Sequence, residues 1–232
     1  MGLIKAHHLL TRPETDREQA SINSISELGK LDGVEYTQVV NPPFTDLPPK
    51  DSCARPRDVG MEPGHNPSTG GYYLSPGHYG CYRAHADAIM SLPEDTEDMF
   101  LIFECDAILI PEPATFAEYV IKANELSLNR DLNFFSFGKP FGDVVEFESH
   151  QEAGSFIEAH AYLIPGSKLT RIKEVLDTTK WDVFDLWATY NFKVPVGYFY
   201  HYTAIQGDGY SLLDKQEVSK YPEVQSRLSV GK

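Results

Sequence analysis

Glu104 and Asp106, two carboxylates one residue apart, directly follow five unbroken apolar residues at 99–103. A run of that length bounded by charge reads as a strand covered on both faces. In an open α/β sheet, ligands collect beyond the carboxyl ends of such strands. Carboxylate oxygens suit hard dications such as Mg²⁺ and Mn²⁺, which in turn grip phosphate oxygens. The pair therefore predicts a site for a metal ion and a phosphorylated ligand; the alternative is two acids that end a strand and begin a turn.

Other side chains converge on the same chemistry. Arg12 and Arg17 lie just past a predicted first strand, either meeting a phosphate or nucleotide there or solvated at a helix start. Ser75 and Pro76 mark a helix start, Ser as N-cap and Pro at the first helical position. Helical spacing then puts Cys81, His85, Ala88 and Ile89 on one face. His85 points inward, as a hydrogen-bonded structural residue or as a ligand contact. Asp182 and Asp185, three apart in an aromatic-rich predicted helix at 181–192, also share a face.

Positioning these groups requires an alternating framework. A strand at 3–10, a helix at 14–30 with Ile22, Ile25 and Leu28 as its buried stripe, and a strand at 34–40 make a βαβ unit, hence a parallel pair. Seven prolines interrupt the pattern at 41–75, a stretch that reads as a lid or rim over the site, or as disorder. After the central strand come a helix at about 114–128, a strand at 132–137, a loop with a short hairpin at 138–154, a strand at 156–164 and a helix to about 176. A last strand at 194–202 closes on His201, and 215–232 reads as a surface tail. The chain contains no G-x-G-x-x-G or Walker-type phosphate loop.

Size and composition suit one globular domain: 232 residues, 41% hydrophobic and 23% charged. Twenty basic against 34 acidic residues, a net charge of −14, argue against nucleic acid or an anionic membrane as partner, since both demand clustered Lys and Arg. Three cysteines without zinc-finger spacing indicate no disulfide framework. No membrane span or signal-peptide core stands out, so a cytoplasmic location is expected.

The blocks Pro76-Gly77-His78-Tyr79-Gly80-Cys81-Tyr82-Arg83-Ala84-His85 and Phe100-Leu101-Ile102-Phe103-Glu104-Cys105-Asp106-Ala107, with the opening 9–17 and Ala161-Tyr162-Leu163-Ile164, resemble glycosyltransferase family 25, the lipopolysaccharide and collagen sugar-transferase group. His78, Ala84 and Cys105 stand where that family has Glu, Ser and the middle Asp of its acidic motif. The resemblance implies a GT-A-like single domain over 1–232, with a mostly parallel central sheet flanked by helices. It further implies an inverting transfer of sugar from a nucleotide-sugar, a UDP-sugar foremost, to a glycan or other hydroxyl acceptor. On that resemblance Asp106 and Glu104 hold Mn²⁺ or Mg²⁺ with His201 as third ligand, and Asp185 or Asp182 is the base. Arg12, Arg17, Glu104 and His85 meet the donor. Rival expectations are a catalytically impaired nucleotide-sugar-binding protein and a metal-dependent phosphohydrolase.

Overall fold

The structure is a computed structural model that describes residues 2–41, 44, 46, 48–60, 74–94, 96–156, 159–192, 195–201, 203–206, 209–211 and 216–218. In chain order the elements are β1 (Ile4–Leu10), α1 (Asp16–Ile25), β2 (Val34–Val40), α2 (Pro76–Ser91), β3 (Met99–Phe103), β4 (Ala107–Leu109) and α3 (Pro113–Arg130). There follow β5 (Phe135–Ser136), β6 (Phe141–Glu146), β7 (Gln151–Ser155), β8 (Ala161–Pro165), α4 (Leu169–Thr178), α5 (Phe184–Phe192), β9 (Val196–Tyr198), β10 (Ala204–Gln206), β11 (Gly209–Ser211) and β12 (Gln216–Val218). Of the expected tail at 215–232, β12 is described and pairs antiparallel with β11 ahead of it; 215 and 219–232 lie outside the described residues.

Eight strands form one sheet in the order β2-β1-β3-β8-β5-β9-β7-β6. β3 lies at its heart, buried on both faces as its apolar run predicts. Phe100 and Ile102 join a core with Ile89 of α2, Leu169 of α4 and Trp187 of α5. Met99, Leu101 and Phe103 join the opposite core, with Ile25 of α1 and Phe116 and Val120 of α3. The chain is therefore α/β with helices on both faces of a central sheet.

The sheet is mixed rather than mostly parallel. β1 pairs in parallel with β2 and β3, and β5 with β9, but β8 runs antiparallel between β3 and β5, and β7 antiparallel to β9 and β6. An apolar run reports that both faces are covered and carries no information about the direction of its neighbours.

Capping explains several boundaries. Thr15 accepts the Glu18 amide at the start of α1. α1 gives way to a 3₁₀ turn at Ser26–Lys30, shorter as an α-helix than its stripe predicts. The Ser75 amide donates to His78 Nδ1 at 3.1 Å, so His78 reaches back as the third residue of a capping box does. α5 starts at Phe184 rather than Trp181, and just ahead of it the Asp182 carboxylate takes the Val183 amide at 2.7 Å.

The proline-rich stretch is in part a packed strap. Cys53 bridges to Trp181 and Val59 to Leu74, and Cys53, Val59 and Leu74 are buried in the core. Residues 61–73 lie outside the described residues, so the lid reading of that portion does too. Among the described residues no helix is long and apolar enough to cross a membrane.

Candidate functional site

β2, β1 and β3 lie side by side with β1 in the middle, so the chain leaves β1 to one side and returns to the other. Such a switch of direction opens a crevice outside the carboxyl ends of the two strands, where ligands of open α/β sheets bind. Arg12 and Arg17 follow β1 there, and Glu104 and Asp106 follow β3.

The tip of β3 is a tight turn: the Ala107 amide donates to the Glu104 carbonyl at 3.1 Å, and the Glu104 amide to the His160 carbonyl at 2.9 Å. β4 continues from it and pairs antiparallel with β10, which brings Gln206 back to the site. Its Nε2 donates to Asp106 Oδ2 at 2.7 Å, and Arg17 Nη2 forms an ion pair with the same oxygen. Asp106 Oδ1, also buried, has no hydrogen-bond partner among the described residues. Burial, and then the negative charge of Glu104, raise the Asp106 carboxyl; Arg17, Gln206 and His160 oppose them without prevailing.

Glu104 turns to a different set of neighbours. His85 Nε2 meets its Oε1 at 3.0 Å and the Cys81 thiol reaches the same oxygen at 3.6 Å. Behind the ring, His85 Nδ1 contacts the Tyr162 hydroxyl at 2.9 Å, and Phe184 stacks on it at 4.3 Å and 11°. With Glu104 ionised, Nε2 carries the proton and donates, and Nδ1 accepts from Tyr162. Burial pushes the Glu104 carboxyl up, but the hydrogen bond from His85, with His160 and the Cys81 thiol, outweighs it and leaves the group below its ordinary value. Cys81 is pushed well above the usual thiol range, by burial first and then by the charges of Glu104 and Asp185. It is a thiol here, not a nucleophilic thiolate.

A buried polar network underlies both acids. Ser21 Oγ donates to the Ala107 carbonyl at 2.6 Å, so its hydroxyl must accept from His8 Nε2 at 3.0 Å. His8 Nδ1 is then left to accept from Tyr36 at 3.0 Å. Burial lowers His8 to about 4, a backbone contact to Glu104 opposing weakly; the ring is neutral. Glu18 accepts the Thr11 and Arg12 amides at 3.1 and 2.7 Å and so shapes the turn that presents the two arginines.

The remaining predicted residues divide. Arg12 is exposed, with no ion-pair partner among the described residues. Asp185 sits half-buried in the first turn of α5, close enough for its charge to act on Cys81 and Tyr162. Asp182 is engaged elsewhere. Arg55 donates to both its oxygens, Nε to Oδ2 at 2.9 Å and Nη2 to Oδ1 at 2.5 Å, while the Val183 amide donates to Oδ1 as well. A carboxylate so engaged fastens the strap to α5. His201 is exposed at the rim, its Nε2 3.1 Å from the Tyr119 hydroxyl and its ring against Phe199.

No family model matches the chain, and no curated protein matches it. The chemistry of the site therefore has to come from its own residues. Among the described residues, one group of three or more potential metal ligands comes together, Cys81, His85 and Glu104; neither His201 nor Asp106 belongs to it.

Sequence reasoning passed over Glu18, His8, Gln206 and His160. Glu18 carried a signal, an acid three residues after a Thr N-cap, although it turns to the preceding loop rather than to the cap. His160 donates from Nε2 to the Ala204 carbonyl at 3.2 Å, and a Cβ on Gly138 would come within 2.8 Å of its Cε1. Gln206 and His160 are brought in by strand pairing over long separations, which no local pattern announces.

Proposed function

We propose that this protein is a metal-dependent glycosyltransferase that takes a nucleotide-sugar donor at the crevice between β1 and β3. The observation that carries this reading is the half-used carboxylate of Asp106: its Oδ2 is held by Arg17 and Gln206, and its Oδ1 is buried without a partner among the described residues. An unsatisfied buried acceptor is unfavourable and fits an oxygen-seeking dication, Mn²⁺ or Mg²⁺. Asp106 would hold that ion, with the second oxygen of Glu104 toward it or toward the donor. Bound there, the ion would neutralise charge developing on a leaving diphosphate.

The protein's own residues supply the rest. Arg12, exposed, and Arg17, already drawn to the tip, present positive charge to the donor phosphates. Asp185 would accept the proton of the acceptor hydroxyl as it attacks, from the first turn of a helix that Asp182 and Arg55 fix in place. Asp185 is close enough for its charge to act on Cys81 and Tyr162 beside Glu104, which favours it as the base over Asp182. His78 in place of the family's Glu does not count against the reading, because it closes the capping box of α2. The family resemblance suggests the reaction class, and the crevice between β1 and β3 is where we take it to occur.

Thermal denaturation with UDP-, GDP- and CMP-sugars, with and without Mn²⁺, tests the donor class. One nucleotide at about a hundred times its dissociation constant should stabilise by about 2.7 kcal/mol, or about 5–10 °C for a chain of this size, and only with the metal present. No metal-dependent shift with any nucleotide-sugar would remove the proposal. Donor hydrolysis that outpaces transfer at saturating acceptor would point to the phosphohydrolase instead.

A further inference from the structure

Cys81 and His85 stand one helical turn apart on α2 and share a face, and Glu104 meets them from the tip of β3. One donor atom from each lies within 4.8 Å of the other two, with Cys81 Sγ 3.6 Å and His85 Nε2 3.0 Å from Glu104 Oε1. Tetrahedral zinc, with bonds of about 2.0–2.1 Å to N or O and about 2.3 Å to S, holds its ligand atoms roughly 3.3–3.6 Å apart. We propose that Cys81, His85 and Glu104 form a binding site for a thiophilic transition-metal dication, Zn²⁺ foremost, chemically distinct from the hard-cation position at Asp106.

Three further observations carry this assignment. The His85 ring is fixed from behind by the Tyr162 hydroxyl and by Phe184, the kind of outer support that sets the tautomer of a ligating imidazole. On metal binding the ring hands its Nε2 lone pair to the ion and donates from Nδ1 to Tyr162, so neither nitrogen loses a partner. Charge balances: a thiolate and a carboxylate with a neutral imidazole cancel a dication, which is what a buried site requires. The site is also accessible, since Cys81 is partly exposed and 24% of the Glu104 side-chain surface remains open. Three protein ligands and an open side match catalytic rather than closed structural zinc sites. A sulfur–nitrogen–oxygen donor set selects zinc over magnesium or manganese.

The test uses the full chain, stripped of metal and titrated with Co²⁺ as a coloured stand-in for Zn²⁺. One equivalent should bind with a thiolate-to-cobalt charge-transfer band, and Zn²⁺ should displace it. Cys81→Ser should abolish the band and Cys105→Ser should retain it. His85→Gln and Glu104→Gln should each weaken Zn²⁺ binding by at least about 10–100-fold, and Asp106→Asn, which removes a neighbouring charge but no ligand, should weaken it less than either. A wild-type chain that takes up no stoichiometric Co²⁺ or Zn²⁺ overturns the proposal without any variant having to fold. A band that survives Cys81→Ser, or vanishes with Cys105→Ser, overturns the ligand assignment. Because no nucleotide enters this titration, its failure and the failure of Mn²⁺-dependent donor binding are read separately.

Discussion

Asp106 and Asp182 are alike in most of what can be tabulated about a carboxylate. Both are nearly inaccessible, 4% and 2% exposed, and both are paired with an arginine. They differ in how their oxygens are used. Arg55 and the Val183 amide occupy both oxygens of Asp182, whereas Arg17 and Gln206 crowd one oxygen of Asp106 and leave the other bare. A saturated carboxylate is a fastener, since its interactions are complete in the folded chain. A half-saturated one keeps an acceptor available for a proton, a water or a cation. Burial and an arginine partner therefore do not separate structural from functional acids; the state of each oxygen does.

Removing each acid should give opposite patterns. Asp106→Asn should lower sugar transfer by about 10²–10³-fold, the range seen when one preorganised charge-stabilising group is lost. It keeps an acceptor for Arg17 and Gln206, so its melting temperature should change little. Asp182→Ala removes the acceptor of the Val183 amide and leaves Arg55 with the weaker ion pair to Asp58 at 3.6 Å. Arg55 keeps 35% of its side-chain surface in water, which discounts the loss, so urea unfolding should show about 2–3 kcal/mol. Donor binding by the folded fraction should persist. Equal stability losses in the two variants would dissolve the contrast, and so would equal losses of transfer.

That contrast was only partly legible in the sequence. The strand of β3, the inward face of Cys81 and His85 and the first βαβ unit all follow from periodicity and capping, which are local. The location of Glu104 and Asp106 beyond a buried strand follows from the same run. What escaped is what strand pairing decides: β8 reversed beside β3, β10 returning Gln206 to Asp106, and Arg55 crossing 127 positions to reach Asp182. Asp182 and Asp185 look equivalent by spacing, and nothing local announces that Arg55 of the proline-rich strap holds Asp182. His201 closes a strand in sequence yet faces Tyr119, because β9 ends at Tyr198 and the chain turns before it reaches the tip.

The polar network beneath β3 gives a further way to sharpen the comparison, through acid sensitivity. His8 is neutral in the fold with a value of about 4 against an ordinary 6.5. The unfolded chain accepts a proton below about 6.5 that the folded chain refuses until about 4, so stability drains as pH falls across that window. At the acid end the deficit approaches about 3 kcal/mol. His8→Gln removes that titration and should flatten the slope of unfolding free energy between pH 6.5 and 4. A slope unchanged by the variant would mean that His8 is protonated in the fold, and the tautomer chain through Ser21 to the Ala107 carbonyl would be wrong.

The two arginines should give the smallest effects and divide them by the same logic. Arg12 is exposed without an ion-pair partner among the described residues, so Arg12→Ala should stay within about 0.5 kcal/mol of wild-type stability. Its cost should fall on donor affinity, about tenfold if it meets a phosphate through a charge-assisted hydrogen bond. Arg17→Ala leaves the Asp106 charge buried with Gln206 alone and should lower stability measurably as well as affinity. An Arg12→Ala chain with unchanged donor affinity would confine phosphate recognition to Arg17 and the metal, and the β1 side of the crevice would contribute shape rather than charge.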